Sequence, residues 1–106
     1  MTSVPAKNIL GIGNIFRFSP EAIAVAPDVA GVFVFFDASG EAILIGSATK
    51  SVRASLADHW KGYEGASTCG AEYLGFEAHP LPLEREAELL ERHRQLFGKT
   101  PRRNIA

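Results

Sequence analysis

Gly31-Val32-Phe33-Val34-Phe35-Phe36 is the stretch on which the fold turns. A run of β-branched and aromatic residues without polar alternation suits a strand covered on both faces, because a half-exposed strand would carry polar side chains at every second position. Asp37-Ala38-Ser39-Gly40 follows with turn chemistry, and residues 41–45 (EAILI) read as a returning strand closed by Gly46. The expectation is a β-hairpin whose first arm is the central strand of a sheet.

Downstream, the polar residues 47–51 offer helix N-caps, and Val52, Leu56 and Trp60 recur about every fourth position, placing them on one face of a helix over residues 51–61. Residues 62–70 are a loop of glycines and small residues. Leu74, Phe76 and Ala78 then alternate with Tyr73, Gly75 and Glu77 as a third strand. Pro80 and Pro82 end it. From Leu83 the apolar positions Ala87, Leu90 and Phe97, with Leu89 and Leu96 beside them, predict a helix packed along one face. Gly98 supplies its left-handed cap and Pro101 prevents its resumption.

Upstream, Ser19-Pro20-Glu21 has the form of an N-cap, a first-turn proline and an acidic first turn, which predicts a short helix through Ile23. Gly11 and Gly13 form a GxG, but Phe16 stands where a third glycine would be needed and no strong strand precedes them. A dinucleotide site is not expected there. The chain reads as a single domain, with residues 1–27 an N-terminal extension packed on the same body as residues 28–106. The fold class is α/β (α+β), a small three-stranded, mostly antiparallel sheet flanked by helices.

With 106 residues, 46% of them hydrophobic and 22% charged, the chain has enough apolar material for a modest core and folds without staples. The net charge of −1 excludes a strongly basic nucleic-acid binder, so any such binding rests on a local patch. Cys69 is the only cysteine and no Cys/His cluster has zinc spacing, which fits a reducing, cytoplasmic compartment. The N-terminus lacks the unbroken apolar run of a signal peptide, and no segment approaches the roughly 20 apolar residues of a membrane span.

The order hairpin, helix, strand, helix, Pro-x-x-Asn resembles the GIY-YIG nuclease superfamily over about residues 30–104. Gly31-Val32-Phe33 stands where the family has GIY or GVY, and Leu44-Ile45-Gly46 where it has YIG. Both glycines are present and both tyrosines are replaced. Gly46-Ser47-Ala48 is similar to the family's GSA or GKA, and His59 stands where homing-type members carry a histidine. The family's catalytic arginine matches Ser55 if one residue is inserted near Thr49, and Ala54 if not; Arg53 lies nearby but out of register. Residues 84–91 (EREAELLE) are similar to the family's ExEALLLE, making Glu91 the counterpart of its metal-binding glutamate, and Pro101 and Asn104 match the terminal Pro-x-x-Asn.

The resemblance implies phosphodiester hydrolysis with one Mg²⁺ or Mn²⁺ on the glutamate, a tyrosine helping to deprotonate water and an arginine stabilising phosphate charge. Neither Phe33 nor Leu44 has an oxygen that could accept a proton. Loss of an in-register arginine removes a fixed cation where charge builds. The expectation is therefore a degenerate nuclease-like domain with, at most, weak sequence-independent binding of DNA or another nucleic acid. A patch of Arg53, His59, Lys61, Arg102, Arg103 and Asn104, with Arg92, Arg94 and Lys99 near it, would carry that binding. Two alternatives stand beside it. One is an active Mg²⁺- or Mn²⁺-dependent endonuclease in which His59 or Tyr63 replaces the lost base. The other is a protein-interaction module using the old cleft, now lined by Phe33 and Leu44.

Overall fold

The 31–36 run forms β2, Gly31–Phe36, and all six of its residues are buried. The computed structural model describes residues 10–62 and 70–104. In it β2 lies between β3, Ala42–Ala48, and β4, Tyr73–Ala78, both antiparallel to it. Being covered by strands on both edges and by helices on both faces, β2 needs no polar side chain, which is why its sequence shows no alternation.

The sheet has four strands rather than three. Ile15–Arg17 forms β1, antiparallel to β4, and the order is β1-β4-β2-β3. This strand has three residues and no periodicity of its own; pairing with β4, about sixty positions later, creates it. Gly13 sits where an added Cβ would stand 2.7 Å from the Phe76 carbonyl oxygen, so the GxG is explained by a close backbone approach to β4.

The hairpin turn is tied by Asp37, whose Oδ1 accepts from the Ser39 and Glu41 amides and the Ser39 hydroxyl, while Gly40 takes φ 91°. Beside it the register slips between Phe35 and Phe36, so that Phe35 faces Leu44 and Phe36 faces Ala42, with Ile43 the extra residue of a bulge. The returning strand is longer than expected. It continues through Gly46 to Ala48, making Gly46 an interior strand residue and not a terminator.

Each face of the sheet holds its own core. Phe33, Phe35, Ile43 and Leu74 point to the side covered by α1, Pro20–Ala24, and α2, Val52–Trp60, where they meet Ile23, Val52 and Leu56. Val32, Val34, Phe36 and Ile45 point to the other side and pack with Leu89 of α3, Pro82–Phe97, and with Leu10 and Ile12. Both short helices start on serine caps: the Ser19 hydroxyl accepts from the Ala22 amide and the Ser51 hydroxyl from the Ala54 amide. Trp60 does not share the buried face of Val52 and Leu56. It is 48% exposed at the helix end, with its ring edge-on to Phe18.

The inner face of α3 also differs from expectation. Leu89 and His93, one turn apart, are its buried residues, whereas Ala87, Leu96 and Phe97 are exposed. His93 is held by a 2.7 Å hydrogen bond between Nδ1 and the Lys99 carbonyl and by the Phe97 ring against it. Gly98 closes the helix in the left-handed region, φ 76°, as the sequence predicts.

Candidate nuclease-like site

Phe33 and Leu44 sit on the same face of neighbouring strands, directed towards α2. Phe33 is 3% exposed and Leu44 is half-buried. The Phe33 ring lies over Gly46, its cross-strand partner: a Cβ on that glycine would stand 2.6 Å from two ring carbons. The ring is also edge-on to Phe35, with centroids 5.6 Å apart, and to His59, at 5.3 Å. His59 is 7% exposed and meets Phe35 as well, at 5.1 Å. The motif residues and the helix histidine are thus brought together as one aromatic cluster around a glycine, with packing as its visible role.

The other candidate positions on α2 lie apart from this cluster. Ser55 is half-buried, and its amide donates to the Ser51 carbonyl within the first turn. Arg53 is exposed; its Nε donates to the Ala26 carbonyl at 3.0 Å and its amide to the Pro27 carbonyl, binding α2 to the segment after α1. Lys61 caps α2 and is exposed. Tyr63 lies outside the described residues, as does Cys69.

Glu91 is on α3, the helix that covers the opposite face of the sheet from Phe33. Its carboxylate is half-exposed, pairs with Arg94 and accepts from Gln95 at 3.3 Å, both one turn on in the same helix. Among the described residues, no group of three or more His, Cys, Asp or Glu side chains is placed to hold a metal ion. Glu91 alone offers one carboxylate, and Mg²⁺ held that way would take its remaining ligands from water and substrate phosphate.

The terminal Pro-x-x-Asn acts on the sheet edge. Asn104 uses its whole amide on one residue: Oδ1 accepts from the Ile45 amide at 2.7 Å and Nδ2 donates to the Ile45 carbonyl at 2.8 Å. The Arg103 amide donates to the Ile43 carbonyl at 2.8 Å. The tail thereby occupies the outer edge of β3, which would otherwise expose a row of unpaired backbone groups. Arg102 reaches the hairpin, 3.1 Å from Asp37 and 3.3 Å from Glu41. Burial pushes the Asp37 carboxyl up, but hydrogen bonds from Ser39, Glu41 and Arg102 outweigh it and hold the group below its ordinary value.

Two contacts near the motif were not foreseen from sequence. The Ser47 hydroxyl donates to Glu86 of α3, joining the residue after Gly46 to the helix. Arg85 holds Glu77 of β4 through Nε and a second nitrogen, at 2.9 and 3.3 Å, and Glu88 at 3.2 Å. The hydrogen bond to Glu77 raises Arg85 above its ordinary value despite burial. Only the 86, 89, 93 periodicity, read with a histidine counted as an inward residue, could have singled out Glu86.

No protein-family model matches the sequence, and no curated protein matches it significantly. Solved structures do. Three point-mutant forms of the GIY-YIG N-terminal endonuclease domain of UvrC from Thermotoga maritima, each bound to its catalytic divalent cation, superpose with TM-scores of 0.65, 0.53 and 0.52. Identities are 22%, 24% and 22%, over 81% of this chain and 93% of each of those. The fold is that of the GIY-YIG endonuclease domain. Within that GIY-YIG fold, Phe33, Gly46 and Asn104 of this chain are all committed to the sheet. Among the described residues no helix is long and apolar enough to cross a membrane.

Proposed function

We propose that this chain is a GIY-YIG-like domain that does not hydrolyse phosphodiesters and whose contact with nucleic acid is weak and indifferent to sequence. The observation that carries the first half is the Phe33–Gly46–His59 cluster. A general base must reach a proton on water beside the substrate. Phe33 has no oxygen, and the imidazole of His59 stands among the rings of Phe33 and Phe35 with 7% exposure. Leu44 adds only hydrocarbon. The same burial speaks against a cleft open to an apolar partner group at Phe33.

The solved neighbours are endonuclease domains, and this supports nucleic acid as the class of partner. Weakness follows from how the basic residues are used. Arg102 is paired with two carboxylates, Arg53 with a backbone carbonyl, and the Asn104 amide with Ile45. Each would have to leave a formed contact to meet a phosphate. Lys50 and Lys99, on the exposed surface, supply part of the attraction.

Titration of labelled duplex, branched and single-stranded DNA by fluorescence anisotropy tests this reading. The expected result is weak binding to all three that fades between about 50 and 200 mM salt, as counterion release requires. Absence of salt-sensitive binding to any of them contradicts the nucleic-acid half of the proposal.

A further inference from the structure

The outer edge of β3 is held by a segment that is not itself a strand. Pro101 to Asn104 form a turn, closed by the Asn104 amide donating to the Pro101 carbonyl at 2.9 Å, and this turn lies against β3 through the Arg103 amide and the Asn104 side chain. Three anchors steady it. Pro101 is buried, Arg102 sits between Asp37 and Glu41, and the Lys99 carbonyl is bonded to His93.

The backbone groups it covers follow from the alternation of an antiparallel ladder. The bond from the His79 amide to the Ala30 carbonyl puts Ala30, Val32 and Val34 on the β4 side of β2, so that Gly31, Phe33 and Phe35 bond to Ala48, Gly46 and Leu44 of β3. Ile45 and Ser47 therefore turn their N–H and C=O away from the sheet. Asn104 imitates a paired strand at Ile45, supplying one acceptor and one donor, and Arg103 takes the Ile43 carbonyl. The row is symmetric about Ile45, with Ile43 two positions before it and Ser47 two positions after. Two such edges, antiparallel about a two-fold axis at Ile45, satisfy one another: Ile45 bonds to Ile45, and the Ile43 carbonyl of each copy meets the Ser47 amide of the other.

We propose that the 101–104 turn is a removable guard, whose release lets β3 pair with the β3 of a second copy of this chain and join the two sheets into one. The charges suit that occupant. Release of Arg102 takes from Asp37 and Glu41 the cation that they share at the hairpin end of β3. Lys50 is exposed beyond the other end of the strand, and the two-fold axis brings the Lys50 of each copy to the hairpin carboxylates of the other. Glu86, the carboxylate beside Ser47, accepts from that residue's hydroxyl within its own chain and keeps that bond. With the guard in place the edge is occupied, as native sheets require, and the chain stays monomeric.

Sedimentation velocity on the whole chain from about 10 μM to about 1 mM, with hydrogen exchange at both ends of that range, tests the guard. The wild type should be monomeric throughout. Arg102→Ala combined with Asn104→Ala removes both ion pairs and both bonds to Ile45, and should dimerise with a Kd below about 100 μM, at least about tenfold tighter than the wild type. Its Ile45 amide should exchange fast when dilute and be protected when concentrated. Lys50→Glu added to this variant should weaken the dimer. Asn104→Asp keeps an acceptor for the Ile45 amide but sets a carboxylate against the Ile45 carbonyl, and should give the same change on a smaller scale in a chain that stays closer to the native one. Release variants that remain monomeric overturn the proposal. So does a dimer that leaves the Ile45 amide unprotected, because its interface lies elsewhere, and so does a wild type that dimerises as tightly as the variants.

Discussion

Phe33 and Gly46 face each other across β2 and β3, and the aromatic ring occupies the space that a β-carbon on the glycine would need. A substituted position of the motif and a retained one are therefore coupled by packing. The ring cannot withdraw easily, since Phe35 and His59 stand against it.

Gly46→Ala should accordingly lower stability by about 1–3 kcal/mol, the usual cost of overpacking a filled core. Phe33→Leu should make the alanine easier to accept, so the double variant should be more stable than the sum of the single effects implies. Urea unfolding of the four proteins gives the coupling directly. Simple additivity would mean that the ring and the glycine do not constrain one another.

Asn104 supports the neighbouring residue of the same strand. Asn104→Ala removes both hydrogen bonds to Ile45 and should cost about 1–3 kcal/mol, because a half-buried amide and carbonyl at the edge of β3 lose their partners. Hydrogen exchange should show the Ile45 amide among the most strongly accelerated. Unchanged protection there would remove the tail from the account of the sheet edge.

Asp37 makes stability depend on pH in a defined direction. Its folded-state value lies below the ordinary 3.8, so its contribution is present above that value and is lost as pH falls through the lower folded one. The stability difference between the wild type and Asp37→Asn should be constant at neutral pH and shrink below about pH 3.8. Urea midpoints measured along that range check it. A difference that grows on acidification would contradict the assignment.

How far the sequence disclosed this arrangement depends on the range of the interactions involved. The 31–36 run, the Asp37 turn, the serine caps and the Gly98 stop are local chemistry, and each is legible in a few adjacent residues. β1 was not legible, because three residues become a strand only through β4. The inward face of α3 was misread because two stripes satisfy the same helical period, and the one that is buried includes His93, a residue ordinarily counted as polar.

At the site, the replaced tyrosines could be read directly and the uses of the polar residues could not. Arg102 meets Asp37 and Glu41 across more than sixty positions of chain, and nothing local to Arg102 announces two carboxylates. Asn104 and Ile45 are similarly distant. In the fold, Arg53, Arg102 and Asn104 of the patch read from sequence each make a contact within the protein itself.

The central claim of the proposal is that Phe33, Gly46 and His59 serve packing in the core and not proton transfer. Nicking of supercoiled plasmid in Mg²⁺ or Mn²⁺, by the wild type and by Glu91→Ala in parallel, tests it most directly. The account predicts no cation-dependent nicking by the wild type above that of the Glu91→Ala preparation. Cation-dependent nicking that disappears with Glu91→Ala would contradict it and return the chain to the active endonucleases.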